Sequence, residues 1–322
     1  MNLNKISKPI NKEIGEFQKI FAGALKSNVA LVDLVTKYIL KQKGKKIRPI
    51  LVLLSAKMCG GINPRSYVAA TLVELLHTAT LIHDDVVDEA KTRRGLPSIN
   101  AVWKNKVSVL IGDFFLSKGL LVSLENNEFE FLKTTSEAVK RMSEGELLQI
   151  QKARNFDATE ETYFRVISDK TASLIKTCCK LGALSATDDG TKIEKMSAFG
   201  ENIGIAFQLR DDLLDYTGRK KLLGKATGND LKEKKFTLPL LTALKNAPVK
   251  KSKEIMKLIK SESGKKFDTV YYFVNEFGGI DYTTEKISHY ANLATEALGY
   301  FPDSEPKESL TELVSFVSNR EY

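Results

Sequence analysis

The sequence predicts an all-α protein, on two observations. Helix and strand breakers are scarce, with 20 Gly and 8 Pro in 322 residues, below average usage. Apolar residues recur at three- and four-residue spacing through most of the chain, and few segments show the strict alternation of strands. The length allows one to three domains with a large core. No stretch reads as an isolating linker, so one domain over residues 1–322 is expected.

Residues 13–40 carry Phe17, Ile20, Phe21, Leu25, Leu31 and Leu34, the pattern of one amphipathic helix followed by another. In Lys43-Gly-Lys-Lys-Ile-Arg-Pro49, Gly44 permits a sharp entry and Pro49 suits the first turn of a helix running to Met58. Lys45 and Arg48, three apart, can converge on one anion at that helix start. A solvated basic surface is the ordinary alternative. After the loop Gly60-Gly-Ile-Asn-Pro64, a helix is expected from about Arg65 to Asp88.

That helix ends in Asp84, Asp85 and Asp88. Asp84 and Asp88 share a face about 5–6 Å apart, where two carboxylates repel unless a cation sits between them. Mg²⁺ bound by one or two carboxylates and substrate phosphates fits. Arg93 and Arg94, in the turn that follows, offer forked donors suited to phosphate oxygens. His77 lies seven residues before Asp84 on the same face, about 10.5 Å away. A lone helical His is more often structural, but its alignment with the acids points to an anion contact.

Beyond the loop Arg93–Asn100, residues 101–125 read mostly as helix and include Gly112-Asp-Phe-Phe-Leu-Ser-Lys-Gly119. Residues 128–152 form another. Its Glu144 and Glu146 are two apart and face different ways, which argues against a metal role. Thr159 can cap a helix running to about Leu184, and that helix contains Lys170-Thr171. The stretch Gln208-Leu-Arg-Asp211-Asp212-Leu-Leu-Asp215 then repeats the first acidic design. A Gly- and Lys-bearing loop with Gly224 and Lys225 follows, then Lys235. It lacks the spacing and the preceding strand of a P-loop. Residues 241–322 read as further amphipathic helices without obvious chemistry. One DDxxD is a weak signal. Two, each closing an apolar run, need cations to compensate them and make sense only if they meet. All-oxygen ligands suit Mg²⁺ rather than Zn²⁺.

The formal charge of +9 fits nucleic acid, a membrane surface or polyanionic small substrates. No helix-turn-helix, zinc-finger or RNP pattern accompanies it, so no nucleic-acid partner is expected. The three Cys lack metal-ligand spacing and read as free thiols of a reducing compartment. The N-terminal residues lack a signal-peptide core and no 18-residue apolar run is seen, so a cytoplasmic protein is expected.

Together these motifs resemble those of the trans-type isoprenyl (polyprenyl) diphosphate synthases over nearly the whole chain, most like the medium- to long-chain, octaprenyl-type members. The family has Gly more often where Lys43 and Lys234 stand, a difference that bears on loop conformation alone. The resemblance implies antiparallel helices around a deep cavity, usually as a homodimer, and about three Mg²⁺ per site. It implies that Asp84, Asp88 and Asp211 ligate metal, with Asp85, Asp212 and Asp215 holding waters or outer contacts. Arg93, Lys170, Lys225 and Lys235 would bind the allylic diphosphate primer. Lys45, Arg48, His77 and Arg94 would bind isopentenyl diphosphate. Thr171 and Gln208 would turn oxygen dipoles to a cationic intermediate. Release of the product could involve peripheral membrane contact.

In the family, an aromatic five residues before the first motif caps the cavity of short-chain enzymes. Here that position is Ala79, beside Thr80 and with Leu76 a turn deeper, which leaves an apolar tunnel open. Phe114 and Phe115 are candidate floors, with ordinary core packing as the alternative. A product on the order of six to eight isoprene units (C30–C40) is expected from that resemblance. The competing readings are a short-chain (farnesyl or geranylgeranyl) synthase, a class I terpene cyclase and a non-catalytic subunit. The intact Asp211–Asp215 motif speaks against the last two.

Overall fold

The computed structural model describes residues 3–42, 44, 46–93, 95–155, 157–217, 235–261 and 266–319. The expected roles of Lys45, Arg94 and Lys225 therefore fall outside the described residues, as do Lys43 and Lys234. The fold is all-α. In order come α1 (Leu3–Ser7), a 3₁₀ turn, α2 (Asn11–Ala24), α3 (Ala30–Lys41), α4 (Ile47–Cys59) and α5 (Pro64–Val87). A minimal hairpin of β1 (Thr92–Arg93) and β2 (Leu96–Pro97) precedes α6 (Ile99–Glu125), α7 (Phe129–Asn155) and α8 (Glu160–Ile167). A π turn, Ser168–Ala172, leads into α9 (Ser173–Ala186) and α10 (Gly190–Thr217). The remaining helices are α11 (Leu238–Asn246), α12 (Val249–Lys260), α13 (Lys266–Glu276), α14 (Gly279–Gly299) and α15 (Glu305–Asn319).

The chain divides into two compact units. One holds Met1–Glu137, Thr177–Ser197 and Phe301–Leu310, and the other Ala138–Lys176, Ala198–Tyr300 and Thr311–Tyr322. Four of the boundaries fall inside helices (α7, α9, α10 and α15) rather than in loops.

In the first unit α4 is apolar on nearly every side, and Leu51, Val52, Leu53 and Leu54 are buried, as a central helix requires. It packs on α5, which packs in turn on α6. Asn63 starts α5: its side chain accepts from the Ser66 amide at 3.3 Å and donates to the Ser185 carbonyl at 2.7 Å, joining that cap to α9. Gly112 and Gly119 of α6 face α5, and only Gly112 is crowded, by the His83 ring. A Cβ at Gly112 would stand 2.2 Å from His83 Nε2, and one at Gly119 3.4 Å from Leu72 Cδ1. In the second unit Tyr163, Ile167, Ala172, Leu209, Leu213 and Leu238 are buried together as one apolar core.

Three expectations need correction. The single helix from Thr159 to Leu184 is broken by the π turn, which inserts an extra residue per turn at Lys170-Thr171. The loop after Arg93 contains a two-stranded hairpin, with Gly95 at φ +78° in its turn. Finally, α6 is long and apolar enough to cross a membrane, its best 18-residue window having a mean hydropathy of 1.7. Asp113 and Lys118 disguised that run in the sequence. A third of the window is buried, and a core helix of a soluble protein reads the same by length and composition.

Candidate active site

The first acidic cluster closes α5. Asp88 caps the helix, and its amide still donates to the Asp84 carbonyl at 2.8 Å, so the helical register holds to the end. Asp84 and Asp88 therefore share a face, and both are exposed. Asp85, turned about 100° away, is only 3% exposed. Its Oδ1 accepts from Arg93 Nε at 2.8 Å and also from Arg93 Nη2. The chain turns back just after α5, where Glu89 has φ +49° and the Ala90 amide donates to the Asp85 carbonyl at 3.0 Å, and this brings Arg93 to Asp85. Arg93 thus carries an internal carboxylate partner as well as being a candidate phosphate ligand.

His77 is buried, 6% exposed, and Thr80 Oγ1 donates to its carbonyl at 2.9 Å. Ala79 and Leu76 are buried too. Phe115 is fully buried, whereas Phe114 is half-buried with the Lys118 ammonium 5.7 Å from its ring centre. The two candidate floors therefore have different surroundings. Arg48 lies in the first turn of α4, which is entered through Lys46 at φ +48°, an unusual conformation for a side-chain-bearing residue. Burial pushes the Cys178 thiol up to about 12, with the Arg48 charge opposing the rise and Glu74 adding to it. Glu74, to which sequence reasoning assigned no role, also acts on Lys46. Burial lowers the Lys46 pKa and Glu74 partly restores it.

The second cluster, near the end of α10, divides its acids the same way. Asp211 and Asp215 are half-buried and Asp212 is 6% exposed. Asp212 Oδ1 accepts from Gln208 Nε2 at 2.7 Å and Oδ2 from the Tyr163 hydroxyl at 2.6 Å. Gln208 Oε1 in turn accepts from Thr171 Oγ1 at 2.8 Å and keeps a second lone pair.

The π turn that carries Lys170 and Thr171 is gripped by two glycines. A Cβ at Gly145 would stand 2.9 Å from Asp169 Cβ, and one at Gly204 2.7 Å from Ala172 Cα. Arg141 Nε donates to Asp169 Oδ1 at 2.8 Å and anchors its start. Lys170 pairs with Glu146 and donates to Gln149 Oε1 at 2.9 Å. Sequence reasoning missed both partners, though Glu146 and Gln149 stand three apart on one helix face, a readable spacing. Lys170, Thr171, Gln208, Asp212, Tyr163 and Lys235 line a cavity of about 110 Å³.

The donor chemistry fits Mg²⁺: the candidate ligands are carboxylate oxygens, and Asp84 and Asp88 are open to solvent. Among the described residues, no three His, Cys, Asp or Glu gather into a complete metal cage. Mg²⁺ commonly completes its shell with water and substrate phosphates.

Known proteins resemble this chain in sequence and fold over nearly its whole length. Residues 29–276 match the polyprenyl synthetase family. An all-trans-nonaprenyl-diphosphate synthase (geranyl-diphosphate specific) of Rhodobacter capsulatus is 36% identical over 97% of this chain and 96% of its own. The octaprenyl diphosphate synthase of Escherichia coli is 35% identical over the whole of both. The crystal structure of a polyprenyl synthase from Caulobacter crescentus, complexed with calcium and isoprenyl diphosphate, superposes with a TM-score of 0.91 at 31% identity, covering 100% of this chain and 98% of that one. With the family match over residues 29–276 and relatives 35–36% identical along nearly the whole chain, the chain belongs to the polyprenyl synthetase family.

Proposed function

We propose that this protein is a Mg²⁺-dependent trans-prenyl diphosphate synthase that adds isopentenyl diphosphate head-to-tail to an allylic diphosphate, giving products of about C30–C40. The observation that carries the reading is the pair of DDxxD helices with the same internal division, the middle acid buried and hydrogen-bonded and the outer two more open. Asp84, Asp88 and Asp211 are the metal ligands in this reading, with about three ions per site. When bound, Mg²⁺ neutralises the charge that grows on the leaving diphosphate.

The chain's own residues do the rest. Arg93, Lys170, Lys225 and Lys235 hold the allylic diphosphate, and Lys45, Arg48, His77 and Arg94 hold isopentenyl diphosphate. The allylic C–O bond breaks and its electron pair leaves with the diphosphate. Thr171 and Gln208 face oxygen lone pairs to the allylic cation. The isopentenyl double bond then attacks, and the released diphosphate takes the proton, so no protein base is required. Ala79, where an aromatic would close the tunnel, supports the longer product.

A homodimer is part of this reading. It is supported by exposed Val109, Leu110, Leu120, Leu121 and Leu124 on α6, which offer an apolar surface to a second copy. Three free, buried thiols, Cys59, Cys178 and Cys179, suit a cytoplasmic location. Peripheral membrane contact at release follows from the product's own apolar length.

The test is to incubate the pure protein with Mg²⁺, labelled isopentenyl diphosphate and geranyl or farnesyl diphosphate, then to size the dephosphorylated products. Chains of about C30–C40 are expected. No elongation would falsify the synthase reading, and arrest at C15 or C20 would favour the short-chain alternative.

A further inference from the structure

Tyr163 carries no role in the synthase reading, yet it ends a hydrogen-bond chain that reaches the cavity. It sits on α8, whose start is fixed by a capping box between Thr159 and Thr162. Its ring is buried among Ile167, Leu209 and Leu213 and stands edge-on to Phe164 with centres 5.6 Å apart. Its hydroxyl donates to Asp212 Oδ2 at 2.6 Å.

The proton directions along this chain follow from donor chemistry. An ionised carboxylate only accepts, so Gln208 must turn its NH₂ to Asp212 Oδ1 and its carbonyl to Thr171. Thr171 must then donate its proton to Gln208. The Thr171 oxygen, which lines the cavity, is left with lone pairs rather than a proton for whatever lies there. The order Thr171 to Gln208 to Asp212, with Tyr163 holding the other oxygen of Asp212, runs one way. Lone pairs are the polarity an allylic cation needs.

We infer that Tyr163 is a positioning residue for the prenyl-transfer step: its hydroxyl fixes Asp212, and through Gln208 it fixes the direction of the Thr171 hydroxyl. The inference rests on the synthase reading above. Without the phenol, Asp212 Oδ2 loses the donor that stands 2.6 Å away. The carboxylate can rotate, the Gln208 amide can flip, and Thr171 can turn its proton into the cavity.

The experiment is a double-mutant cycle of Tyr163→Phe and Thr171→Val on the full chain, with Mg²⁺, isopentenyl diphosphate and farnesyl diphosphate. Tyr163→Phe is expected to lower kcat by about ten- to a hundredfold, as outer-contact partners do. The KM for isopentenyl diphosphate should stay within about twofold, because its candidate ligands lie outside this chain. In the Thr171→Val background the same change should remove less than about threefold more. An unchanged kcat, or an equal factor in both backgrounds, overturns the inference. A general folding defect also gives equal factors and so counts against it. A wild-type chain that elongates while Tyr163→Phe matches it overturns this inference alone. A wild-type chain that does not elongate overturns the synthase reading and this inference with it.

Discussion

The two acidic clusters share a pattern and differ in what surrounds it. In each, the middle Asp turns inward while the first and last stay more open, because positions i and i+4 share a helix face and i+1 does not. Asp85 is held by a guanidinium that returns after eight residues on a hairpin, whereas Asp212 takes a phenol proton from a residue 49 positions earlier and an amide proton from its own helix. Asp85 takes its donors from a guanidinium near in sequence, and Asp212 has a phenol and an amide among its donors. The lesson is that a repeated motif repeats only its local geometry. How each buried charge is compensated depends on the neighbours that the fold supplies.

The largest expected effect tests whether the open acids are equivalent. Asp84→Ala and Asp211→Ala should each lower kcat on the order of a thousandfold or more at saturating Mg²⁺. Substantial initial-rate activity in either variant would break the equivalence.

The next effect concerns the charged pair. Arg93→Leu should destabilise the protein by about 2–3 kcal/mol in urea unfolding, since it strands a buried carboxylate, with the figure reduced because the guanidinium is partly exposed. Adding Asp85→Leu should recover most of that loss. If the double variant is no more stable than the single, a stranded charge is not the cause.

Gly204→Ala should cost about 2 kcal/mol, because the new methyl meets Ala172 across the π turn. It should also depress turnover by shifting Lys170 and Thr171. A variant with wild-type stability and rate would show that the turn yields easily. Tyr163→Phe should cost only about 1–2 kcal/mol in the same unfolding measurement. A loss larger than that of Arg93→Leu would show that the guanidinium is not the costlier donor to remove. Ala79→Phe has the smallest expected effect on stability, less than about 1 kcal/mol if open space lies below the first motif. It should still shorten the product to C15–C20 in a sizing assay. A large stability loss with unchanged product length would mean that no tunnel passes this residue.

Much of the fold was legible because helices announce themselves locally. The spacing of apolar residues placed α2 and α3, the Asn63–Pro64 start was read to within a residue, and Thr159 was recognised as a cap. The acidic motifs were found by spacing alone. The partners were not. Glu146 was set aside because it and Glu144 diverge, yet it pairs with Lys170 from another helix. Gly145 and Gly204 carried no visible signal, since their purpose is to admit the π turn. Tyr163 looked like any aromatic on an amphipathic helix.

Residue order alone therefore determined the helical class, the two acid triplets and the family resemblance, because a 3.6-residue period depends only on near neighbours. Tertiary structure decided which acid of each triplet is buried with which donor, where the helix must widen at Lys170-Thr171, and which way the Thr171 proton points. Those features depend on groups distant in sequence whose hydrogen bonds exist only after packing brings them within about 3 Å.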